Sequence, residues 1–157
     1  AWCRDVGLRF FLRPHPSDSG SMRHVKALHA EYSDVFVDGG VSRTPDVMDL
    51  LIACDAIVTD YSSTYVDGLI LDRPVTFVDY DRDLYMEKRG LAYDYELITP
   101  GPKVQTLEGF QKACEEMKEG APAWAERREF VRKMFFKYRD ANGCSRVTKL
   151  IEGMVSR

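Results

Sequence analysis

A short apolar run that turns into a helix at a cluster of hydroxyl side chains constrains this chain most. Residues 56–59 are too few for a helix and rich in β-branched side chains, which is typical of a buried strand. Three hydroxyl residues follow at 62–64, and apolar side chains then recur at helical spacing until Pro74. The sequence therefore predicts a strand, a tight corner and a helix in direct succession.

The predicted corner places hydroxyl groups beside the unpaired amide groups of a first helical turn. Such amides attract anions, and the helix dipole adds to the attraction. Ser62, Ser63 and Thr64 are therefore candidate phosphate ligands. The alternative is that these residues only cap the helix, as most serines at such positions do. Asp60 belongs to the same candidate site, although its place between strand and helix favours a role in shaping the turn.

The rest of the chain alternates between predicted strands and predicted helices. This alternation indicates an α/β fold, a Rossmann-like parallel sheet with right-handed crossovers, flanked by helices. The other predicted strands are 8–12, 35–37, 74–78 and, at an edge, 103–105. The other predicted helices are 21–32, 44–54 with Thr44 as cap, 106–119, 123–138 and 143 to the end, with a loop containing short helical pieces at 82–101.

Two more groups of candidate residues follow predicted strands. Prolines on both sides hold His15 in a stiff loop, where its ring can donate to a phosphate oxygen. Gly39 and Gly40 end the next strand and serve either the close approach of a ligand or an ordinary turn. Because the carboxyl ends of parallel strands share one edge, these residues, Asp79 and the serine corner are expected to meet there.

Length, charge and cysteine content narrow the class of protein. The 157 residues fit one domain, and the formal net charge of -3 argues against a general nucleic-acid binder. Four scattered cysteines without metal-ligand spacing predict reduced thiols in a cytosolic protein with no metal. No apolar run approaches the roughly 20 residues of a membrane span. The absence of an initial methionine suggests a fragment or a processed chain.

Several motifs in sequence order resemble one family, the CDP-glycerol glycerophosphotransferases of teichoic-acid and capsule-polymer synthesis. The resemblance covers about residues 8 to 151. The matching segments are Asp-Ala-Ile-Val-Thr-Asp-Tyr-Ser-Ser at 55–63, Leu-Asp-Arg-Pro at 71–74, Leu-Arg-Pro-His-Pro at 12–16, Lys-Arg-Gly at 88–90, Pro-Gly-Pro at 100–102 and residues 140–147. The last segment departs from the family, because Ala141 and Cys144 stand where members have glycine and serine.

The resemblance implies a fold and a reaction. The fold is the carboxyl-terminal, nucleotide-binding half of a two-domain glycosyltransferase-B-like protein, and the acceptor-binding amino-terminal domain is absent from residues 1–157. The reaction moves glycerol phosphate, or a related alditol phosphate, from a CDP-activated donor to a polymer hydroxyl and releases CMP, without a cofactor. His15 is the implied catalytic residue. The implied donor-binding residues are Arg13, Gly39, Gly40, Asp60, Ser62, Ser63, Thr64 and Asp67, the last as a ribose acceptor or a surface carboxylate.

Two other functions stay open at this point. One is the donor domain of a nucleotide-sugar glycosyltransferase, and the other is an interaction module without catalysis, in which the serines only cap. Residues 124–139 carry six Lys or Arg and a broad apolar face. We expect this helix to bury Phe130 and Met134 against the domain and to expose its arginines. The alternative is peripheral contact with an anionic membrane, at the inner face of the plasma membrane.

Overall fold

Short strands in parallel pairs, separated by helices, make up the computed structural model, which describes residues 1–15 and 19–155. The strands are β1 (Phe10–Leu12), β2 (Phe36–Asp38), β3 (Ile57–Thr59), β4 (Val75–Val78) and β5 (Lys103–Val104). The helices are α1 (Trp2–Asp5), α2 (Ser19–Glu31), α3 (Val47–Ala53), α4 (Thr64–Leu69), α5 (Arg82–Lys88), α6 (Tyr95–Ile98), α7 (Leu107–Lys118), α8 (Ala125–Phe135) and α9 (Gly143–Val155), with a 3₁₀ turn at Pro122–Trp124. The predicted α/β class is confirmed. Pro16 and the last two residues of the final predicted helix lie outside the described residues.

The strands form two small sheets where the sequence predicted one. β1 pairs with β2, and β3, β4 and β5 form a second sheet in that order, with Ile57 opposite Val75 and Phe77 opposite Lys103. The facing edges of β1 and β3 line a cleft of about 1060 Å³, and Phe11 and Val58 stay 41% and 37% exposed. The prediction of a single sheet was wrong because apolar strand patterns do not determine which edges pair.

The core lies on the three-stranded sheet. Strand β4 is its centre, since Val75, Thr76 and Phe77 are each at most 1% exposed. The core cluster consists of Leu51, Ile57, Tyr65, Leu69, Val75, Phe77 and Val131. Gly101 is required in the middle of the Pro-Gly-Pro segment, because a Cβ there would lie 1.8 Å from the Val75 carbonyl oxygen. This close approach lets the Pro102 carbonyl accept a hydrogen bond from the Phe77 amide. The pairing of β5 with β4 follows directly after this hydrogen bond.

Local signals place the ends of some helices. Thr106 caps α7 by accepting from the Gly109 amide at 3.1 Å, as predicted, and Gly120 with a φ of 80° ends that segment. The cap of α3 is Asp46, which accepts from the Met48 amide at 2.8 Å, and not Thr44 as predicted. Asp46 therefore takes the capping role predicted for Thr44, because it lies two residues nearer to the start of α3.

The prediction for the basic helix was wrong in its buried face. Phe130 and Met134 are 47% and 45% exposed, whereas Val131 is fully buried and Arg128 is 4% exposed. The helix packs on α4 through Val131 and Phe135, which each follow directly after one of the two residues predicted to be buried. Arg128 is buried because it donates to the Asp72 carboxylate and to the carbonyls of Gly120 and Ala121.

Candidate functional site

The corner after β3 is an interlocked turn. The Asp60 carboxylate accepts from the Ser62 amide at 3.0 Å, and the Ser62 hydroxyl accepts from the Thr64 amide at 3.3 Å. The Ser62 and Thr64 hydroxyls also share a hydrogen bond of 2.9 Å. Asp60 therefore shapes the turn, and Ser62 acts as a side-chain cap for α4.

Ser63 differs from its neighbours because it is not used by the turn. It is the residue before α4, it is exposed, and its side chain makes no capping hydrogen bond. Asp67 lies one turn further along α4 and is exposed as well. Ser63 and Asp67 are thus exposed side chains of this corner that the turn does not use.

The Arg13 side chain holds the loop that follows β2. Its guanidinium donates to the carbonyls of Gly39 at 2.9 Å, Thr44 at 2.6 Å and Pro45 at 3.1 Å. Three of its N–H groups are therefore used within the protein. Its predicted contact with the donor stays a prediction, and the structure gives it a second role in positioning this loop.

The two glycines after β2 are buried in tight packing. A Cβ on Gly40 would lie 2.9 Å from the Asp38 carboxylate, which accepts from the Gly40 amide, and a Cβ on Gly39 would lie 3.1 Å from Leu50. Packing accounts for both glycines without a ligand, and their predicted donor contact remains a prediction. His15 is exposed in the segment after β1, and its predicted catalytic role remains a prediction.

Tyrosine side chains join the corner after β3 to the loop after β4. The Tyr61 hydroxyl donates to the Asp81 carboxylate at 2.8 Å, and its ring stacks on Tyr85 with centroids 4.0 Å apart. Desolvation and the hydrogen bond to Asp81 raise the pKa of Tyr61, so the phenol stays protonated as a donor. The sequence analysis did not predict that Tyr61 connects the two loops. The only signal in the sequence was its position next to the serines.

The loop after β4 contains a buried acid. Asp79 is 2% exposed, and its Oδ2 lies 4.0 Å from the Arg82 guanidinium, while its Oδ1 has no partner among the described residues. The Tyr95 hydroxyl is also buried without a partner in this part of the chain. Desolvation and the nearby Asp79 charge raise the pKa of Tyr95. The sequence analysis placed Asp79 at the strand end and gave it no role.

The candidate residues form two groups, one after the strands of each sheet. Arg13, His15, Gly39 and Gly40 follow the strands of the smaller sheet, and residues 60–67 and 79–82 follow those of the larger one. All strands are parallel within their sheets, so each group lies at a carboxyl edge. Among residues 1–15 and 19–155, no group of three His, Cys, Asp or Glu is placed to hold a metal ion.

A family model and curated proteins match this chain. Residues 3–153 match the model for "CDP-Glycerol:Poly(glycerophosphate) glycerophosphotransferase". A teichoic acid glycerol-phosphate transferase of Staphylococcus aureus is 33% identical over 131 residues, which are 83% of this chain and 33% of that protein. A teichoic acid glycerol-phosphate primase of Bacillus subtilis is 32% identical over 110 residues, 70% of this chain and 28% of that protein. The chain thus spans about a third of the length of these relatives.

Solved structures of the wall teichoic acid polymerase TagF match the fold. One TagF structure superposes with a TM-score of 0.77 at 26% identity, over 99% of this chain and 37% of that chain. A TagF variant soaked with CDPG superposes with a TM-score of 0.76 at 26% identity, over 99% of this chain and 38% of that chain. The arrangement of strands and helices described above is therefore that of one part of a glycosyltransferase-B-like protein.

Proposed function

The chain belongs to the CDP-glycerol:poly(glycerophosphate) glycerophosphotransferase family, and from that premise we propose that it is the donor-binding domain of such a transferase. The substrate is a CDP-alditol, CDP-glycerol or a close relative, and the acceptor is a hydroxyl of a teichoic-acid or capsule-type polymer. The observation that carries the proposal is the family match over residues 3–153, which includes both groups of strand-end residues.

The proposed binding mode places the donor pyrophosphate at the corner after β3. Ser63 offers a hydroxyl that the turn does not use, and Ser62 and Thr64 hold the corner in shape. A hydroxyl hydrogen bond to an ionised phosphate is stronger than one between neutral groups. Asp67 accepts from a ribose hydroxyl on the same face of α4. Arg13 fixes the loop containing Gly39 and Gly40 so that this loop borders the nucleotide.

The proposed reaction is attack of the polymer hydroxyl on the phosphorus that bears the alditol. The bond between that phosphorus and the bridging oxygen breaks, CMP leaves with the electron pair, and the attacking hydroxyl releases its proton to water. Charge develops on the leaving phosphate, and a donor aimed at this charge lowers the barrier. His15 is the proposed donor, because its exposed imidazole follows β1 at the carboxyl edge of the smaller sheet.

Calorimetric titration of the chain with four ligands tests the proposed function. We expect CDP-glycerol or CDP-ribitol and CMP to bind, and UDP-glucose to bind at least about tenfold more weakly, because the family uses cytidine donors. Preference for UDP-glucose would instead indicate a nucleotide-sugar glycosyltransferase. Absence of binding by all four ligands would contradict the proposal and favour a module without catalysis.

We also propose that α8 lets the domain lie on an anionic membrane surface, where a lipid-linked polymer would be met. Phe130 and Met134 project from this helix with about half of their surface exposed, and Lys133 beside them is 66% exposed. Exposed apolar groups flanked by cations suit the interface of an anionic bilayer. Among the described residues, no helix is long and apolar enough to cross a membrane.

Sedimentation with vesicles of phosphatidylglycerol and phosphatidylcholine tests this contact. We expect salt-sensitive binding that the double substitution Phe130→Ser and Met134→Ser removes. Arg128 is unsuitable for this test because it is buried and holds Asp72, so its loss would damage the fold. Leu84→Ser and Met86→Ser on α5, which are 49% and 45% exposed, provide a matched control. Equal binding by both double variants and the original chain would contradict the membrane proposal.

A further inference from the structure

Two tyrosine hydroxyls hold the corner after β3, one at each of its ends. The Tyr61 hydroxyl, just before the three hydroxyl residues, donates to the Asp81 carboxylate at 2.8 Å. The Tyr65 hydroxyl, just after them, donates to the Ile98 carbonyl at 2.9 Å. Both acceptors lie in residues 81–98, the segment after β4 that carries α5 and α6. A part of the chain that is distant in sequence therefore holds the corner in place.

The two tyrosines differ in how closely the fold encloses them. Tyr65 is 4% exposed and belongs to the core cluster, so packing holds its ring as well. Tyr61 is half-buried and lies outside that cluster, and its ring contacts Tyr85 and, with centroids 6.0 Å apart, Tyr95. Stacked rings can slide past each other, whereas a hydrogen bond has a preferred direction. The bond to Asp81 therefore sets the position of the Tyr61 side chain.

The backbone joins Tyr61 directly to the serine that is proposed to bind the donor. Ser62 comes next, and the Asp60 carboxylate accepts from its amide at 3.0 Å, so Tyr61 lies inside this turn. Ser63 follows, and its side chain makes no capping hydrogen bond to the turn. A change of backbone angle at Tyr61 would therefore move the Ser63 hydroxyl, because the cap of α4 does not hold that hydroxyl.

We propose that Tyr61 is a positioning residue for donor binding, and that its hydrogen bond to Asp81 keeps the Ser63 hydroxyl at the donor pyrophosphate. This inference rests on the proposed function, because it assumes a CDP-alditol at Ser63. Tyr61 itself contacts no atom of the donor in this arrangement. Its effect is to keep the corner in the binding geometry before the donor arrives, since a binding state that is only partly populated weakens the apparent affinity in proportion.

The chemistry of the pair suits a permanent contact. A phenol donates and a carboxylate accepts, and a hydrogen bond to an ionised group is stronger than one between neutral groups. Desolvation and the bond to Asp81 raise the pKa of Tyr61, so the phenol keeps its proton at neutral pH. Asparagine at position 81 would still accept from the phenol, whereas alanine at 81 or phenylalanine at 61 would remove the bond.

Calorimetric titration of the 157-residue chain with CDP-glycerol, at a temperature where every variant is folded, tests this role. Tyr61→Phe keeps the ring and removes the hydroxyl, and it should weaken binding by about three- to tenfold, as expected for loss of one hydrogen bond. Asp81→Asn and Asp81→Ala remove the same charge, but only asparagine still accepts. Asp81→Asn should therefore bind about three- to tenfold more tightly than Asp81→Ala.

A double substitution shows whether Tyr61 acts through Ser63. In the Ser63→Ala background, the further change Tyr61→Phe should weaken binding by less than about twofold, because the contact that Tyr61 positions is already absent. A purely structural role of Tyr61 predicts a different result. Tyr61→Phe would then lower the melting temperature and leave the affinity of the folded chain for CDP-glycerol unchanged.

The controls separate the possible failures. Tyr93→Phe removes the hydroxyl of a tyrosine that is 57% exposed and outside the candidate residues, and it should keep the affinity. Unchanged affinity in Tyr61→Phe, or its full loss again in the Ser63→Ala background, would overturn the inference and leave the proposed function standing. If Tyr61→Phe does not fold, equal affinities of Asp81→Asn and Asp81→Ala would overturn the inference. Absence of CDP-glycerol binding by the original chain would instead overturn the proposed function.

Discussion

The three-stranded and two-stranded parts of this domain differ in how completely their strands are buried. In the larger sheet, Phe77 has no exposed surface, and three of the four residues of β4 are buried. In the smaller sheet, β1 has no fully buried residue, and Phe11 is 41% exposed toward the cleft. Interior packing determines how rigidly a loop is held. The corner after β3 is therefore held more firmly than the loop that carries His15.

The proposed donor-binding corner and the proposed catalytic histidine follow strands of sheets that differ in packing. The corner with Ser63 follows a strand of the well-packed sheet, which suits groups that must be pre-organised for a charged ligand. His15 and the glycine loop follow strands of the less packed sheet. Arg13 compensates in part, because its guanidinium holds three carbonyls of that loop.

Truncation of one phenylalanine in each sheet gives the largest expected contrast. Phe77→Ala should lower the free energy of unfolding by about 3–5 kcal/mol, because the ring is fully buried and packs edge-on against Tyr65. Phe11→Ala should cost about 1 kcal/mol or less, since 41% of this residue already contacts solvent. Urea unfolding of both variants measures the difference. Equal losses would show that the two sheets are packed alike.

Removal of the imidazole of His15 tests whether the two-stranded part of the domain contributes a catalytic residue. His15→Ala should slow transfer from CDP-glycerol by roughly a hundredfold or more in the full-length enzyme, which is typical for loss of an acid–base group. The melting temperature should not change, because the residue is exposed. Transfer rates are measured with saturating donor, and His24→Ala on α2 serves as an exposed histidine control. An unchanged rate would remove His15 from the mechanism.

The two adjacent serines after β3 should separate affinity from stability. Ser63→Ala should weaken CDP-glycerol binding by about 1.5–3 kcal/mol, the worth of a hydrogen bond to a charged group, without changing the melting temperature. Ser62→Ala should instead lower stability by about 0.5–2 kcal/mol, because its hydroxyl caps α4. Calorimetry and thermal unfolding of both variants measure the two effects. The reverse assignment would make Ser63 the cap and Ser62 the ligand.

The sequence predicted those features that depend on local chemistry. The strand–corner–helix at residues 56–69, the Thr106 cap and the turn-forming role of Asp60 follow from side chains within a few positions of one another. The pairing of strand edges did not follow, because apolar runs at β1 and β3 are equally compatible with one sheet or two. The buried face of α8 was displaced by one residue because Arg128 binds Asp72, a partner 56 residues away.

The same limit explains the missed part of the candidate site. Asp79 and Tyr95 are 16 positions apart, and their unsatisfied polar atoms become visible only when both are buried beside β4. The sequence marks Asp79 as a residue at a strand end and nothing more. Burial of a polar atom without a partner is a property of the packed chain, so a periodicity argument does not detect it.

The smallest expected effect concerns Glu129, which lies on the side of α8 that does not pack against the core on the three-stranded sheet. Arg139, Arg132 and Lys133 surround this carboxylate, and their hydrogen bonds lower its pKa to about 2 from an ordinary value of 4.5. A carboxyl group with a lowered folded-state pKa stabilises the protein above its unfolded pKa. That stabilisation is lost as the pH falls from about 4.5 toward 2.

Comparison of the original chain with Glu129→Gln over a range of pH tests this linkage. The difference in melting temperature should be constant between pH 5 and 8 and should shrink below about pH 4.5, because protonated Glu129 then resembles glutamine. The difference should be small throughout, since exposed ion pairs contribute little and salt screens them. Glu87→Gln on α5 serves as the control substitution, as no ion pair involves Glu87 among residues 1–15 and 19–155. A difference in melting temperature that grows as the pH falls would contradict the proposed effect of the ion pairs of Glu129. The stabilising contacts of α8 would then lie in its buried face alone.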